Sequence, residues 1–484
     1  MSSNNKSIVT DLDYPLVKFS QSKEDWWTIR DAVRGVQIFG GIGSGKSSGS
    51  GKTLAKAFLK NGFGGLVLCG KPDERENWEK LAKEAGREDD LIIFREDSQY
   101  QFNPLDYELN RTGKGAGEIF NLSYLFMEIY KMGNRFSGGG GDGGDGERYW
   151  DNALKRCINR MIQLLKFSGE KVSIENMINL LSQAPYEEDM KDLSELSNEE
   201  IEGVGEKNFC IGCIIKASAR CDNTPLEKEC EFVTNYFTNE FSRVPEKTRA
   251  IVVESFLGLA EPFTSGILKK HFSKSTNLYP EATFEGKIIV LDFPVKEYLA
   301  SGIYAQGIYK LLWQQAAERR NPNEDLLPVF LWVDESQLFL SDYDQIFQTT
   351  ARSSRACTVF LSQNISNYYS AIGGKDPRPK IDSLLGNLGT KIFHANNDAV
   401  TNEWAARTIG NAFKNVRSIN VGKNENTSAG ISQQLLHLVE PREFTMLKSG
   451  GFENDLKVEG VITVAGKTWS NNLNFYRTFF DQSV

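Results

Sequence analysis

The stretch Gly40 to Thr53, G-G-I-G-S-G-K-S-S-G-S-G-K-T, restricts the fold more than any other part of the chain. Within it, Gly40-Gly41-Ile42-Gly43-Ser44-Gly45-Lys46-Ser47 satisfies the phosphate-loop pattern G-x-x-x-x-G-K-[ST] in full, directly after the apolar run Val36-Gln37-Ile38-Phe39. The pattern needs a buried strand, a tight glycine turn and a helix. Glycines let backbone N–H groups turn inward around phosphates, and the positive end of the next helix adds to anion binding. Gly40, Gly41, Gly43, Ser44 and Gly45 are expected to form the cradle, with Lys46 reaching the β/γ-phosphates of ATP and the Ser47 hydroxyl holding Mg²⁺.

A second G-K-T, Gly51-Lys52-Thr53, would need a glycine where Lys46 stands and six more residues after the strand. Lys46 and Ser47 are therefore the expected pair, and Lys52 and Thr53 fall in the first turns of a helix running toward Gly62. Gly49 and Gly51 weaken that helix by roughly 1 kcal/mol each relative to Ala, which points to close packing against a neighbour or ligand. A flexible Gly/Ser linker is the bland alternative, but linkers do not place G-K-S after a buried strand.

The 484 residues suffice for two or more domains, and 40% hydrophobic with 25% charged residues is an ordinary globular balance. A net charge of −8 excludes a uniformly basic nucleic-acid coat while allowing a local basic channel. No apolar run approaches the ~20 residues of a membrane span. The start, Met1-Ser2-Ser3-Asn4-Asn5-Lys6, lacks the apolar centre of a signal peptide. These features predict a cytoplasmic protein that does not itself insert into a membrane. Seven cysteines fit a reducing compartment.

Residues 1–35 read as a lead-in. Apolar runs at Phe63–Cys69 and Leu91–Phe94, separated by a charged helix from about Asn77 to Ala85, continue a strand–helix alternation that predicts a parallel sheet. Ser137 to Gly146 is too glycine-rich to order by itself and reads as a loop. From Glu147 the texture is helical, with Ile158, Met161, Ile162 and Leu165 at helical spacing. The sheet pattern resumes at Gly286–Pro294, Val329–Glu335, Thr358–Gln363 and Thr390–His394, with helices near Tyr304–Arg319 and Thr401–Ile409. Alternation around Glu459–Val464 and Leu473–Phe480 predicts edge strands.

The run ending in Asp334-Glu335 is the natural second half of a nucleotide site. A buried strand delivers Asp334 to the Mg²⁺ shell, and Glu335 is placed to polarise the attacking water. Gln363, at the end of the next strand, would sit beside Asp334 and sense the γ-phosphate. Arg352 and Arg355, expected on the helix before that strand, are candidates to reach a neighbouring subunit's γ-phosphate, with a plain surface arginine the equal alternative for each; Arg407 is a weaker third. Cys210, Cys213, Cys221 and Cys230 are spaced irregularly with no histidine nearby, so buried thiols are favoured over a zinc site. His271, His394 and His437 are scattered and predict no histidine-based centre.

In order, the chain shows G-S-G-K-S, K-P-D-E at 71–74, F-N-P-L-D at 102–106, a helical insertion from near Tyr149-Trp150, L-D-F-P-V at 291–295, V-D-E-S-Q at 333–337, A-R-S-S-R at 351–355, L-S-Q-N at 361–364 and V-E-P-R-E-F-T-M-L at 439–447. This resembles the TraG/TraD-like coupling proteins of type IV secretion and conjugation, within the HerA/FtsK superfamily of ring motors. The likeness covers most of residues 25–484. It implies an α/β, RecA-like P-loop NTPase with a mainly parallel central sheet (36–135 and 281–484) and an inserted all-α domain at 147–280. It also implies a DNA-translocating ATPase that forms a homo-hexamer, with nucleotide between subunits and single- or double-stranded DNA held without sequence preference. Secretion-machinery, relaxosome or nuclease partners follow from the same likeness. Coupling proteins usually carry N-terminal membrane helices, and none is seen here. A soluble HerA-like ATPase of DNA processing or phage defence, and a nucleotide-gated adaptor that recruits a protein with little hydrolysis, are the alternatives.

Overall fold

A computed structural model describes residues 10–20, 25–136, 145–321, 323–324, 326–373, 376–421 and 427–483. Most of the glycine-rich stretch at 136–146 lies outside them. The strands, in chain order, are β1 (Pro15–Lys18), β2 (Trp26–Thr28), β3 (Val36–Phe39), β4 (Gly64–Leu68), β5 (Leu91–Arg95), β6 (Ile288–Asp292), β7 (Val329–Val333), β8 (Ala356–Ser362), β9 (Thr390–Phe393), β10 (Asn411–Val421), β11 (Thr427–His437), β12 (Lys457–Val464) and β13 (Phe475–Asp481).

Nine of these form one sheet in the order β13-β12-β9-β3-β8-β7-β4-β6-β5. β3 runs parallel to both β8 and β9, and β7 parallel to β8 and β4. Every residue of β3, β4, β7 and β8 is buried, as expected of parallel strands covered on both faces. Helices lie between the strands in sequence, at Lys52–Lys60, Glu74–Glu84, Asp342–Thr350 and Ala399–Ile409. On one face, Phe58 stacks on Phe63 and Phe330, and Trp78 on Phe330, within a core that includes Ile38, Val67, Val359 and Ile392. Of the two expected edge strands, β13 is at the edge, while β12 lies one place in and pairs antiparallel with both β13 and β9.

Register makes the site. Phe39 lies opposite both Ser362 and Phe393, so Gly40, Gln363 and His394 leave the sheet abreast. Leu68 lies opposite Val333, which brings the Gly70-Lys71 turn beside Asp334-Glu335.

The chain divides into two compact units. One holds the sheet: Met1–Phe94, Pro280–Lys296 and Trp313–Val484. The other, Arg95–Tyr279 with Glu297–Leu312, is helical and takes in the stretch 102–136 as well as the region from 147. Its helix Asp145–Ser168 buries Leu154, Ile158, Met161, Ile162 and Leu165. The F-N-P-L-D motif is a helix start: Asn103 Oδ1 accepts from the N–H groups of Leu105 (3.0 Å) and Asp106 (3.3 Å), with Pro104 at the first helical position. All seven cysteines are buried free thiols, and among the described residues no group of three or more His, Cys, Asp or Glu could hold a metal. No single described helix is long and apolar enough to cross a membrane.

Two elements depart from the sequence expectation. The helix expected from Tyr304 begins a few residues earlier, just after Leu299, whose non-helical backbone (φ 47°, ψ −126°) separates it from a short helical stretch that opens at Val295. β10 and β11, which no pattern announced, pair over 11 residues each as a separate antiparallel ribbon.

Candidate functional site

The loop after β3 is built on glycine. Gly43 and Gly45 have φ of +72° and +81°, the left-handed region that only glycine enters freely. A Cβ on Gly40 would stand 2.3 Å from Ser44 Oγ, and one on Gly45 2.4 Å from Val458 Cγ2. The helix that follows opens with a wide turn at Ser47–Gly51, in which Gly51 N–H donates to Lys46 O at 2.9 Å. Gly49 and Gly51 are there for close packing: their Cβ atoms would meet Val458 and Phe480, and Lys46 O and Leu361.

Lys52 and Thr53 begin the regular helix Lys52–Lys60, as expected. Thr53 Oγ1 donates back to Gly49 O at 3.0 Å, and Lys52 Nζ to Gln482 O at 3.3 Å. Neither reaches Asp334 or Glu335 among the described contacts. Lys46 and Ser47 do. Ser47 Oγ donates to Asp334 Oδ2 at 2.9 Å, and Lys46 Nζ lies 3.8 Å from Glu335 Oε1.

β7 delivers the acidic pair and then turns sharply. Glu335 has φ 49° and ψ 47°, and its N–H is held by Asp334 Oδ1 at 2.9 Å. A left-handed non-glycine residue costs of order 1–3 kcal/mol, and such strain concentrates at functional sites. The carboxylate accepts from Gln337 Nε2 at 2.8 Å and from Gln363 Nε2 at 3.4 Å. Gln363 thus stands beside the acidic pair, and Asn396 Nδ2 fixes its backbone carbonyl at 2.7 Å.

Lys71, to which the sequence assigned no role, is the nearest cation. Its Nζ is 2.7 Å from Glu335 Oε1 and 3.6 Å from Asp334 Oδ2. Burial alone would push the Glu335 carboxyl up, but the hydrogen bonds from Lys71 and Gln337 and the nearby ammonium charges outweigh it and hold the group at about 2. Burial works to lower the Lys71 ammonium, yet Asp334 and Glu335 raise it well above its usual value. Glu74, close by, is buried, and burial followed by the Asp334 charge pushes its carboxyl up.

Beneath the loop, His394 Nδ1 faces Glu459 O at 2.8 Å, so Nδ1 carries the proton and Nε2 accepts from Ser50 Oγ at 2.7 Å. Burial, with the Lys46 charge, lowers this imidazole to about 4. The residue set aside as scattered is thus part of the loop's foundation.

Arg352 and Arg355 correct the expectation of a helical position. The helix ends at Thr350, and both lie in the turn before β8, at the opposite end of that strand from Gln363. Arg352 is exposed; Arg355, at φ 52°, donates through Nη1 to Thr10 O. Arg407 is exposed on Ala399–Ile409. None of the three joins the acidic pair.

A cleft of about 510 Å³ opens at the loop, lined by Lys46, Ser47, Lys71, Glu74, Trp332 and Asp334 among others. The residues fit a Mg²⁺-bound nucleotide. Gly40 and Gly45 of the backbone cradle have no room for a Cβ, Ser44 Oγ is buried with no hydrogen-bond partner, and a hydroxyl and a carboxylate converge as hard oxygen donors.

No protein-family model matches the sequence, and no curated protein matches it. Solved structures do. The unbound bacterial conjugative coupling protein TrwB superposes with a TM-score of 0.60 at 11% identity, covering 96% of this chain and 89% of that one. The plasmid coupling protein TrwB in complex with ADP and Mg²⁺ gives 0.59 at 12%, and TrwB with a non-hydrolysable ATP analogue 0.57 at 12%, each covering 96% of this chain and 89% of its own. With its mostly parallel sheet and the phosphate loop at the end of β3, the chain has the RecA-like P-loop fold of the conjugative coupling protein TrwB.

Proposed function

We propose that this chain is an ATP-hydrolysing motor of the conjugative coupling type, which works as a ring of identical subunits and moves DNA through its centre. The observation that carries the reading is the Ser47 Oγ–Asp334 Oδ2 contact at 2.9 Å, with Lys46 and Glu335 facing each other beside it. Four side chains of the types that phosphoryl transfer needs, from residues 46, 47, 334 and 335, meet at one glycine-built cleft. The likeness to TrwB, described as a conjugative coupling protein, supports the cargo and the setting.

In this mechanism the loop N–H groups and Lys46 hold the phosphates. Ser47 and Asp334 would hold Mg²⁺, which would supply charge against the phosphate oxygens. Glu335 is fully ionised at neutral pH and orients the attacking water by accepting its hydrogen bond. Gln363, bonded to the same carboxylate, carries the change at the γ-phosphate into β8. Arg352 and Arg355 lie at the far end of β8 and act, in this reading, on the site of a neighbouring subunit. DNA is gripped through its backbone phosphates, with the strong salt dependence of such contacts.

The test is steady-state ATP hydrolysis with and without single- and double-stranded DNA, for the native chain and for Lys46→Ala and Glu335→Gln. Hydrolysis stimulated by DNA and lost in both variants is the expected result. Bound ATP without turnover under any condition would replace the motor with a nucleotide-gated adaptor.

A further inference from the structure

We propose that Lys71 competes with the divalent cation for the Asp334–Glu335 carboxylates, and so sets how much Mg²⁺ the nucleotide site requires. The inference rests on the nucleotide reading above and adds a regulator to that site. Lys71 leaves the sheet at the end of β4, which the register places beside the end of β7. Its Nζ is bonded to Glu335 Oε1 at 2.7 Å and stands 3.6 Å from Asp334 Oδ2. That Asp334 oxygen is the one that accepts from Ser47 Oγ. A cation bound between Ser47 and Asp334 would therefore meet an ammonium already drawn to the same oxygen.

Two like charges at such range repel strongly in a partly dry cleft, where screening by water is reduced. Asp334 and Glu335 are 6% and 5% exposed, so the competition takes place among desolvated groups. Lys71 is more open, with 28% of its side chain exposed, so its ammonium can swing toward solvent while the carboxylates stay in place. Lys46 sits at 3.8 Å from Glu335, outside hydrogen-bond range, so Lys71, bonded at 2.7 Å, is the cation that occupies the carboxylates.

The experiment titrates MgCl₂ against binding of a fluorescent ADP to the full chain, for the native protein, Lys71→Met and Lys71→Arg, with melting temperatures recorded alongside. Lys71→Met should lower the half-saturating Mg²⁺ by roughly fivefold or more, because one opposing charge is gone, while Lys71→Arg stays near the native value. A Lys71→Met midpoint equal to the native one overturns the proposal. So does weaker nucleotide binding at every Mg²⁺ level with an unchanged midpoint, which would make Lys71 a phosphate contact. A native chain that binds no nucleotide at saturating Mg²⁺ is a different failure, of the nucleotide reading itself. Lys71→Arg that behaves like Lys71→Met would assign the effect to packing, and would also sink the competition.

Discussion

Ser50 Oγ and His394 Nε2 lie 2.7 Å apart, 344 positions distant in sequence, and join the floor of the phosphate loop to the end of β9. Because the imidazole is buried and its Nδ1 proton is committed to Glu459 O, it is held neutral down to about 4. In the unfolded chain a histidine titrates near 6.5. Between those values the unfolded state binds the extra proton, so stability is present above pH 6.5 and is lost as pH falls toward 4. Chemical denaturation at pH 7 and pH 5 should show a loss of about 2 kcal/mol in the native protein that His394→Gln does not share. Equal losses in both would remove His394 from the acid response.

Lys46→Ala should cut ATP turnover by roughly 10²–10³-fold, the usual cost of removing one electrostatic contact to developing charge. Lys52→Ala, whose ammonium serves Gln482 O instead, should leave turnover near native. Retained activity in the first variant and loss in the second would transfer the phosphate-binding role to the later G-K-T.

Glu335→Gln should keep nucleotide binding and lose hydrolysis by roughly 10²–10⁴-fold. Equilibrium binding measured beside turnover separates the two effects. Binding lost together with turnover would make the left-handed turn at Glu335, and not its charge, the thing removed.

Gly45→Ala and Gly62→Ala share a positive φ, +81° and +80°, but differ in surroundings: the first Cβ would collide with Val458, and the second meets nothing within 4 Å. Gly62→Ala should cost about 1–2 kcal/mol, from backbone strain alone. Gly45→Ala adds an overpacking cost of about 1–3 kcal/mol. Thermal melts of the two variants read the difference, and equal losses would show that Val458 gives way freely.

Legibility followed burial. The strands β3, β4, β6, β7, β8 and β9 are short apolar runs because they are covered on both faces, and each could be located from composition alone. The phosphate loop was legible because its geometry demands particular residues. The ribbon β10–β11 was not. None of its described residues is buried, and its apolar Phe413, Ile431 and Leu435 are exposed, so no buried apolar stripe marks it in the sequence. The short helical stretch at Val295 and the break at Leu299 were not legible either, because nothing local marks a leucine held at φ 47°. Lys71 and His394 were missed for another reason. Both lie at strand ends whose importance comes from register, and register joins residues hundreds of positions apart that no local pattern can pair.

Val458, Phe480 and Gln482 press on the phosphate loop at Gly45, Gly49 and Ser48. During synthesis a chain tends to fold from its N-terminal end. Here the phosphate loop leans on strands that follow it much later in sequence, so a ribosome-bound chain made only as far as residue 456 presents the G-K-S sequence without its backing. Competence to grip nucleotide is therefore acquired only after β12 and β13 have been made and have closed on the loop.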